Sequence, residues 1–315
     1  MARWAVTGAT GLVGSALVRS LIQDGHAVRA LVHETTSNSL TSITETVTGD
    51  VRDTSTIARL VDGCDVVIHL AVSWDESDEI AGIIVEGTRT VVDASRRSGV
   101  GRVLFVSCLG AEAAATSPYY RAKWEAEMLV RRLEDGGSYT ILRPSLIVGR
   151  GDPVTGGMSA MLRTLPVIPV PGRGLHRVQP VDVEDFCRCL MVAAESGDLV
   201  NESVSVGGPT FVTYRQLLDL IGGRLGLVKP KLLLPVSWTC RLGTILPEPV
   251  GSLLSPYRLA AFAHGVVVSP GIIRRTFGFE PKSLVDELPS YLASTQPGMS
   301  LLAAFGHVLY KFERR

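Results

Sequence analysis

The chain has 315 residues, a length that allows one large domain or one domain with a smaller lobe. Apolar residues make up 46% and charged residues 20%, as in globular proteins, and the formal net charge of zero gives no reason to expect nucleic acid as a partner. Of the five cysteines, Cys187 and Cys189 are close in sequence but no second closely spaced pair matches them, so we expect neither a disulfide framework nor a metal site.

The sequence also bears on the compartment. The first apolar run begins at residue 3, so we expect no signal peptide, and a reducing, cytoplasmic location follows as the default. No apolar stretch reaches the ~20 residues that a helix needs to span a bilayer.

Short apolar runs rich in β-branched residues alternate with helical patterns through the first half of the chain. This alternation indicates right-handed β-α-β units and an α/β fold, in which a doubly wound parallel sheet is covered by helices on both faces. The predicted strands are 3–7, 27–32, 43–48, 65–71, 102–107 and 138–142, and the predicted helices are 12–24, 54–62, 79–98 and 118–134.

Three glycines, Gly8, Gly11 and Gly14, lie between the first predicted strand and the first predicted helix. A strand that leads through a Gly-rich turn into a helix directs unpaired backbone N–H groups and the positive helix end at one point. Glycine is needed there because a Cβ would block the close approach of phosphates and of helix to strand. The sequence therefore predicts a dinucleotide site in a Rossmann-type sheet.

The pattern changes after Pro144. Proline and glycine crowd residues 149–174, strand patterns become scarce, and helical patterns follow at 182–195, 213–225 and 284–293. We therefore predict three parts: a nucleotide-binding domain over 1–150, a smaller, mostly helical substrate lobe over 151–296 with segments returning to the first domain, and an apolar, cationic tail over 297–315.

Tyr119 and Lys123 are four residues apart in a predicted helix, which places both side chains on one face. A neighbouring ammonium lowers the pKa of a phenol, and such a tyrosine can exchange a proton with a carbonyl or alcohol while a nicotinamide moves the hydride. Random placement predicts only about 0.1 such pairs in a chain of this composition. The alternative is a surface tyrosine that packs on a lysine stem.

Further motifs occur in order along the chain: residues 49–53 (Gly-Asp-Val-Arg-Asp), 69–71 (His-Leu-Ala), 143–149 (Arg-Pro-Ser-Leu-Ile-Val-Gly) and 180–185 (Pro-Val-Asp-Val-Glu-Asp). Together with the glycines and the Tyr/Lys pair, they resemble the extended and atypical short-chain dehydrogenase/reductases, the epimerase/dehydratase relatives, over residues 3–293. Within that superfamily the chain is most similar to the branch that contains the nucleotide-binding accessory subunit of respiratory complex I, a similarity that residues 207–214 support.

The resemblance implies a role for each matching position. Tyr119 would be the acid/base, with Lys123 as its electrostatic partner and a ligand of the nicotinamide ribose. The implied cofactor contacts are Gly8, Thr10, Gly11, Leu12, Val13 and Gly14 at the pyrophosphate, Asp50 and Val51 beside the adenine, Leu70 and Ala71 near the ribose, and Pro144 and Ile147 close to the nicotinamide. For Asp50 a turn or helix-cap role is an equal alternative, and we expect His69 to be a buried strand histidine.

Some positions depart from the family pattern. Ser107 aligns with the first hydroxyl position that polarises the substrate oxygen, but Cys108 and Leu109 replace residues that are often hydroxylated. A thiol is a weaker hydrogen-bond donor than a hydroxyl. Ile84 stands where an asparagine usually supports an ordered water. The departures leave two interpretations open, altered chemistry or binding without turnover.

The choice of cofactor depends on the end of the second predicted strand. NAD-preferring sites carry a carboxylate there for the ribose 2′-OH, and the aligned residue is Val32. His33 stands where many relatives carry a phosphate-binding arginine, and Arg52 is a candidate helper, whereas the spacing of Glu34 also suits a ribose contact. We therefore predict NADP(H) in preference to NAD(H).

Two apolar segments lie outside these motifs. Residues 297–315 combine clustered apolar side chains with a cationic end, which resembles a helix at a membrane surface or on a partner protein, although closure over the domain's own core is an equal alternative. Residues 231–238 (Lys-Leu-Leu-Leu-Pro-Val-Ser-Trp) either line an apolar substrate pocket or fill the smaller lobe.

The leading hypothesis is an NAD(P)(H)-dependent oxidoreductase, or an epimerase-type enzyme, that acts on a small apolar carbonyl or alcohol substrate. A nucleotide-sugar substrate would require more cationic phosphate ligands than Arg173 and Arg177. The alternative is a non-catalytic NADP(H)-binding accessory or assembly protein of a respiratory or quinone-synthesis complex.

Overall fold

The computed structural model describes residues 2–33, 45–72, 79–256, 258–259, 262, 265 and 267–293, without the side chains of residues 79–81 and 135. The predictions for Glu34 and for the tail 297–315 lie outside these residues. Contacts divide the chain into two units, and each is described by itself. The first unit comprises Met1–Pro144, Val183–Val206 and Ile272–Phe279, and the second comprises Ser145–Asp182, Gly207–Gly271 and Glu280–Arg315.

The strands are β1 (Arg3–Thr7), β2 (Ala27–Val32), β3 (Glu45–Thr48), β4 (Val66–His69), β5 (Arg102–Val106), β6 (Tyr139–Pro144), β7 (Ile147–Val148), β8 (Ile168–Pro171), β9 (Arg177–Val178), β10 (Val181–Asp182), β11 (Glu202–Val206), β12 (Val212–Thr213) and β13 (Lys231–Leu234). The helices are α1 (Leu12–Gln23), α2 (Thr54–Val61), α3 (Glu79–Arg97), α4 (Pro118–Val130), α5 (Pro153–Thr164), α6 (Val183–Glu195), α7 (Tyr214–Leu225), α8 (Val236–Ile245), α9 (Val250–Leu253), α10 (Ile272–Phe277) and α11 (Leu284–Leu292). Short 3₁₀ turns cover Arg131–Asp135 and Gly197–Leu199.

The first unit is built on a seven-stranded sheet in the order β11-β6-β5-β4-β1-β2-β3, and every pair in it is parallel. The predicted doubly wound parallel sheet is therefore confirmed. The chain order reverses between β1 and β4, which lie side by side in the centre of the sheet. In such sheets ligands bind outside the carboxyl ends of the strands at this reversal.

The elements of the first unit follow the predicted ones closely, with two informative differences. Strand β4 ends at His69 rather than at residue 71, because the Leu70 N–H is shared between the Thr7 carbonyl and hydroxyl oxygens and the Ala71 N–H bonds to the Thr7 hydroxyl instead of continuing the ladder. Strand β11 was not predicted. Its alternating polar sequence, Glu-Ser-Val-Ser-Val, lacks the apolar run of a buried strand, yet it pairs with β6 along its whole length.

The core of the first unit contains large side chains from both the sheet and its covering helices. Strands β1 and β5 contribute the buried side chains of Trp4 and Phe105, and α1 contributes those of Leu17 and Leu21. Helix α6 packs on α1, where the Cys187 thiol donates to the Val13 carbonyl oxygen. This packing holds the amino end of α1 against the sheet edge.

The second unit combines helices with short two-stranded pairs: β10 with β7, β12 with β9, and β13 with β8. Asp152 caps α5 by accepting from two backbone N–H groups, and Thr213 and Gln216 form a capping box on α7. The buried Asp182 accepts a hydrogen bond from Tyr291, which ties α11 to β10. None of the helices in the described residues has the length and apolar character that crossing a membrane requires.

Candidate functional site

Sequence-predicted residues of the first unit collect at one edge of its sheet. The Gly-rich turn follows β1, His33 follows β2, Asp50 and Val51 follow β3, Leu70 and Ala71 follow β4, Ser107 and Cys108 follow β5, and Pro144 ends β6. Parallel strands direct their carboxyl ends to the same side, so chain topology alone gathers these residues. Ile147, by contrast, begins β7 in the second unit.

The three glycines of the turn differ in how much space the fold leaves for a side chain. A Cβ on Gly14 would lie 2.1 Å from the Gly8 oxygen and 2.7 Å from the Ala9 Cα, so Gly14 allows α1 to pack on the turn. Gly8 has φ +69° and a Cβ there would lie 2.8 Å from the Leu70 carbonyl carbon. A Cβ on Gly11 would meet nothing in the described part of the chain closer than the Gly8 oxygen at 3.4 Å. The fold therefore requires glycine at positions 8 and 14, whereas a side chain at position 11 would be tolerated.

Helix α1 begins with groups that suit an anion. Gly11 is its N-cap and has no side chain with which to bond the N–H groups of the first turn, and the first turn has no acidic residue. Thr10 and Gly11 are exposed, and Leu12 and Val13 are half-buried. Unpaired N–H groups and the positive end of the helix dipole together stabilise a phosphate at this point. The residues present thus fit the diphosphate of a dinucleotide.

A buried hydrogen-bond network joins the turn to α3. The Thr7 hydroxyl oxygen lies 2.7 Å from His69 Nδ1, and His69 Nε2 lies 3.0 Å from the Thr88 hydroxyl, which donates to the Ile84 carbonyl oxygen. Because the Thr88 proton is directed to Ile84, His69 donates from Nε2 and accepts from Thr7 at Nδ1. Burial, with a smaller contribution from Lys123, lowers the pKa of His69 to about 3.

His69 is therefore neutral and structural, as expected for a buried strand histidine. The Thr7 hydroxyl oxygen accepts from the N–H groups of Leu70 and Ala71, both at 3.2 Å. This network holds the ends of β1 and β4 together beneath the Gly-rich turn.

Asp50 and Val51 have local partners that define their positions. The Asp50 carboxylate accepts from the Arg52 backbone N–H at 2.8 Å and from its guanidinium at 3.0 and 2.7 Å, and the Arg52 side chain chiefly lowers the pKa of Asp50. Asp50 is thus a turn residue, whereas Asp53 caps α2. Val51 is buried against Gly87 of α3, where a Cβ would lie 2.8 Å from Val51 Cγ1.

Tyr119 and Lys123 are both buried on α4, but their side chains have different partners. The Lys123 ammonium donates to the Val106 carbonyl oxygen at 2.8 Å and lies 4.9 Å from the centre of the Phe105 ring. The Tyr119 hydroxyl donates to the Cys108 sulfur. Burial lowers the pKa of Lys123 to about 8 and raises that of Tyr119 well above its usual range. The expected lowering of the Tyr119 pKa is therefore wrong for this arrangement, because burial dominates and Lys123 bonds elsewhere.

Ser107 and Cys108 follow β5 beside this pair. Ser107 is buried, and its hydroxyl oxygen has no hydrogen-bond partner among the described residues. A buried polar group of this kind is unfavourable unless a ligand or water satisfies it. Burial raises the pKa of the Cys108 thiol to about 12, so Cys108 is a neutral thiol rather than a reactive thiolate.

Sequence reasoning missed Glu127 and its partner. Glu127 is fully buried one turn after Lys123, and the Arg143 guanidinium donates to both of its carboxylate oxygens. The carboxylate of Glu127 raises the pKa of Lys123, partly opposing burial. The repeat of four residues from Tyr119 through Lys123 to Glu127 could have signalled this stripe, but a glutamate in a helix is usually solvated.

Residues 4–207 match the model of the NAD dependent epimerase/dehydratase family. The chain is 34% identical over 195 residues to a ceramide reductase of Caulobacter vibrioides, which covers 58% of this chain and 60% of the relative. It is 25% identical over 319 residues to a 2-alkyl-3-oxoalkanoate reductase of Stenotrophomonas maltophilia, which covers 90% of this chain and 96% of the relative.

The chain is also 28% identical over 229 residues to NADH dehydrogenase (ubiquinone) 1 alpha subcomplex subunit 9, mitochondrial, of Arabidopsis thaliana, with 69% of this chain and 56% of the relative covered. It thus spans less than two thirds of the length of this subunit and of the ceramide reductase. Its fold resembles UDP-glucose 4-epimerase of Thermus thermophilus, solved in complex with NAD, with TM-score 0.72, 21% identity, and coverage of 93% of this chain and 98% of that chain. Since the family match covers more than half of the residues, the chain belongs to the NAD dependent epimerase/dehydratase family.

Proposed function

We propose that this protein is an NAD(P)(H)-dependent oxidoreductase that acts on an apolar carbonyl or alcohol substrate. The observation that carries the proposal is that Lys123 bonds to Val106 and Tyr119 to Cys108, the residues on either side of Ser107, whose buried hydroxyl has no partner among the described residues. These residues lie at the carboxyl end of β5, and the Gly-rich turn lies at the carboxyl end of β1 in the same parallel sheet. Two relatives named as reductases, of ceramide and of 2-alkyl-3-oxoalkanoates, support an apolar substrate class.

When bound, the nicotinamide supplies or accepts the hydride. The residues of the chain manage the proton. Burial keeps Tyr119 protonated, so its hydroxyl, once it turns from the Cys108 sulfur, can donate a proton to a carbonyl oxygen that becomes an alcohol. Ser107 supplies a second hydroxyl for the same oxygen. For the reverse reaction Lys123 would have to turn from the Val106 carbonyl toward Tyr119 and stabilise the phenolate.

The test is the oxidation of NADPH and NADH by the purified protein with a panel of long-chain ketones. We expect turnover with at least one of them, and a loss of roughly 100-fold or more in Tyr119→Phe, because general acid catalysis contributes about 10²–10⁴-fold. Tyr120→Phe is the matched control, since Tyr120 is also buried and is the next residue on α4. Undiminished turnover in Tyr119→Phe would remove the mechanism.

The proposed cofactor is NADP(H) in preference to NAD(H). His33 is exposed directly after β2, at the position where a 2′-phosphate would lie in a Rossmann-type site. The Arg52 side chain is held by Asp50, which argues against a leading role for it. Thermal-shift titration should show a stronger effect of NADPH than of NADH, and His33→Ala should remove the difference. Equal or reversed affinities in the wild-type protein would contradict this assignment.

A second candidate function has its own support. Cys108 offers a thiol where the family often has a hydroxyl, and the buried Ile84 replaces the usual asparagine. The relative named as a complex I subunit fits a non-catalytic accessory or assembly protein that binds NADP(H). A purified protein that holds nucleotide, exchanges no hydride with any ketone, and leaves the membrane fraction when residues 297–315 are deleted would favour this candidate over the enzyme.

A further inference from the structure

An apolar segment of the second unit is exposed rather than packed. We call residues 228–241, which comprise β13 and the first half of α8, the apolar edge. Val228 is 97% exposed, Leu232 52%, Leu233 49% and Trp238 61%. These side chains do not fill the lobe, which is one of the two roles that the sequence left open for residues 231–238. Large apolar side chains that cluster at the surface mark interaction sites.

The backbone explains why the segment is exposed. Strand β13 pairs with β8 in parallel, and the residues of β8 are all buried, so β13 covers β8. Successive strand residues point to opposite faces. Leu232 and Leu233 are nevertheless both about half exposed, which means that both faces of β13 are open to solvent.

The exposed apolar residues extend beyond the strand at each end. Val228 lies before its amino end, two residues ahead of Pro230, whose carbonyl accepts from the Ile168 N–H. Val236 and Trp238 lie beyond its carboxyl end, in the first turn of α8. At about 3.3 Å per residue the strand alone separates these ends by roughly 13 Å.

The charge of this region has one sign. Residues 220–247 contain four cations, Arg224, Lys229, Lys231 and Arg241, and no aspartate or glutamate. Lys231 forms an ion pair with the neighbouring Asp219, so residues 219–247 keep a formal charge of +3 (four cations less one carboxylate). Arg241 follows Trp238 by three residues in α8, which places the two on the same face of the helix.

We propose that the apolar edge docks on the surface of an anionic lipid bilayer. Trp238, Leu232 and Leu233 would enter the boundary between headgroups and acyl chains, where an indole is favoured because it is apolar with one polar N–H. Lys229 and Arg241 would lie at the headgroup level and attract anionic lipids. The charge complementarity selects an anionic bilayer over a neutral apolar partner. The proposal holds whether or not the protein is an oxidoreductase, because it uses none of the nucleotide-site residues.

The experiment measures binding of the full chain to vesicles of phosphatidylcholine with and without phosphatidylglycerol. We expect binding that requires phosphatidylglycerol and weakens with salt, because the attraction of basic residues to anionic lipid is screened. Leu232→Gln with Leu233→Gln should reduce the partition coefficient at least roughly tenfold, since the two apolar side chains no longer leave water. Val285→Gln is the matched control, because Val285 is an exposed apolar residue of the same unit outside the apolar edge.

A second measurement locates the contact. Lipids brominated in the acyl chain should quench fluorescence of the wild-type protein more than that of Trp238→Phe, because the two proteins share the other three tryptophans and differ only in the indole that would lie near the acyl chains. The proposal fails if binding does not depend on phosphatidylglycerol, if Val285→Gln reduces it as much as the double substitution, or if quenching is the same in Trp238→Phe. It also fails if the double substitution changes self-association of the chain and leaves vesicle binding unchanged.

Discussion

Gly11→Ala separates what the fold requires from what a bound dinucleotide requires. Gly11 has φ −74°, which alanine adopts without strain, and the new Cβ would lie no closer than 3.4 Å to its nearest described neighbour, the Gly8 oxygen. Alanine is a poorer N-cap than glycine, which costs roughly 0.5–1 kcal/mol. It also lowers the conformational entropy of the unfolded chain, which stabilises the folded protein by about 0.4–1 kcal/mol. We therefore expect the free energy of unfolding to change by less than about 0.5 kcal/mol.

Nucleotide binding should respond differently. Gly11 is the N-cap of α1, and at such a turn an added Cβ hinders the close approach of a phosphate to the first N–H groups of the helix. A hydrogen bond to a charged group contributes about 1.5–3 kcal/mol, and its loss weakens binding roughly 10- to 100-fold. Isothermal calorimetry or thermal-shift titration with NADPH and NADH measures the change, and urea unfolding measures stability.

Two other glycines provide the comparison. Gly14→Ala places a Cβ 2.1 Å from a backbone oxygen, so it should lower stability by about 1–3 kcal/mol or more, whether or not nucleotide is present. Gly223→Ala adds a Cβ in α7 that meets nothing within 4 Å in the described residues, so it should leave binding unchanged and stability slightly raised. Wild-type nucleotide affinity in Gly11→Ala would refute the assignment of a diphosphate to this turn.

Three further predictions concern buried ionisable groups. Glu127→Gln removes the charge that faces the half-buried Arg143, and should cost about 2 kcal/mol in urea unfolding, below the ~3–5 kcal/mol of a fully buried pair because water reaches Arg143; unchanged stability would contradict the pairing. The pKa of Lys123 is about 8 in the folded chain and 10.5 in the unfolded reference state. Between these two pH values the unfolded chain holds a proton that the folded chain has released, so the free energy of unfolding should rise with pH by about 3 kcal/mol. Lys123→Met should abolish this rise. The pKa of His69 is lowered from 6.5 to about 3, so the stability that neutral His69 provides should be lost as the pH falls from 6.5 toward 3, and His69→Gln should lack this pH dependence. If Lys123→Met or His69→Gln has the same pH profile of stability as the wild-type protein, the pKa assigned to the replaced residue is wrong.

Local sequence patterns were enough for much of the fold. Strands β1 and β2 have the predicted bounds, and α1 begins at the predicted residue, because apolar runs, glycine and helical periodicity act over a few neighbouring residues. The same reasoning placed Tyr119 and Lys123 on one face of α4. The gathering of the candidate site at one sheet edge also follows from the sequence, since alternation of strands and helices implies a parallel sheet.

Tertiary structure decided what depends on distant partners. Strand β11 has too few apolar residues to be recognised alone, and it becomes a strand because β6 offers an open edge for its backbone groups. Gly8 must be glycine because the Leu70 backbone, distant in sequence, lies against it.

The protonation of the proposed catalytic pair is the clearest case. Its spacing suggested that the Lys123 ammonium lowers the pKa of Tyr119, but in the folded chain Lys123 bonds to the Val106 carbonyl and burial raises that pKa. Spacing along a helix determines which side chains share a face. Burial and hydrogen-bond partners determine their charge, and the partners come from β5 and the residues that follow it, which are distant from the lysine's own turn of α4.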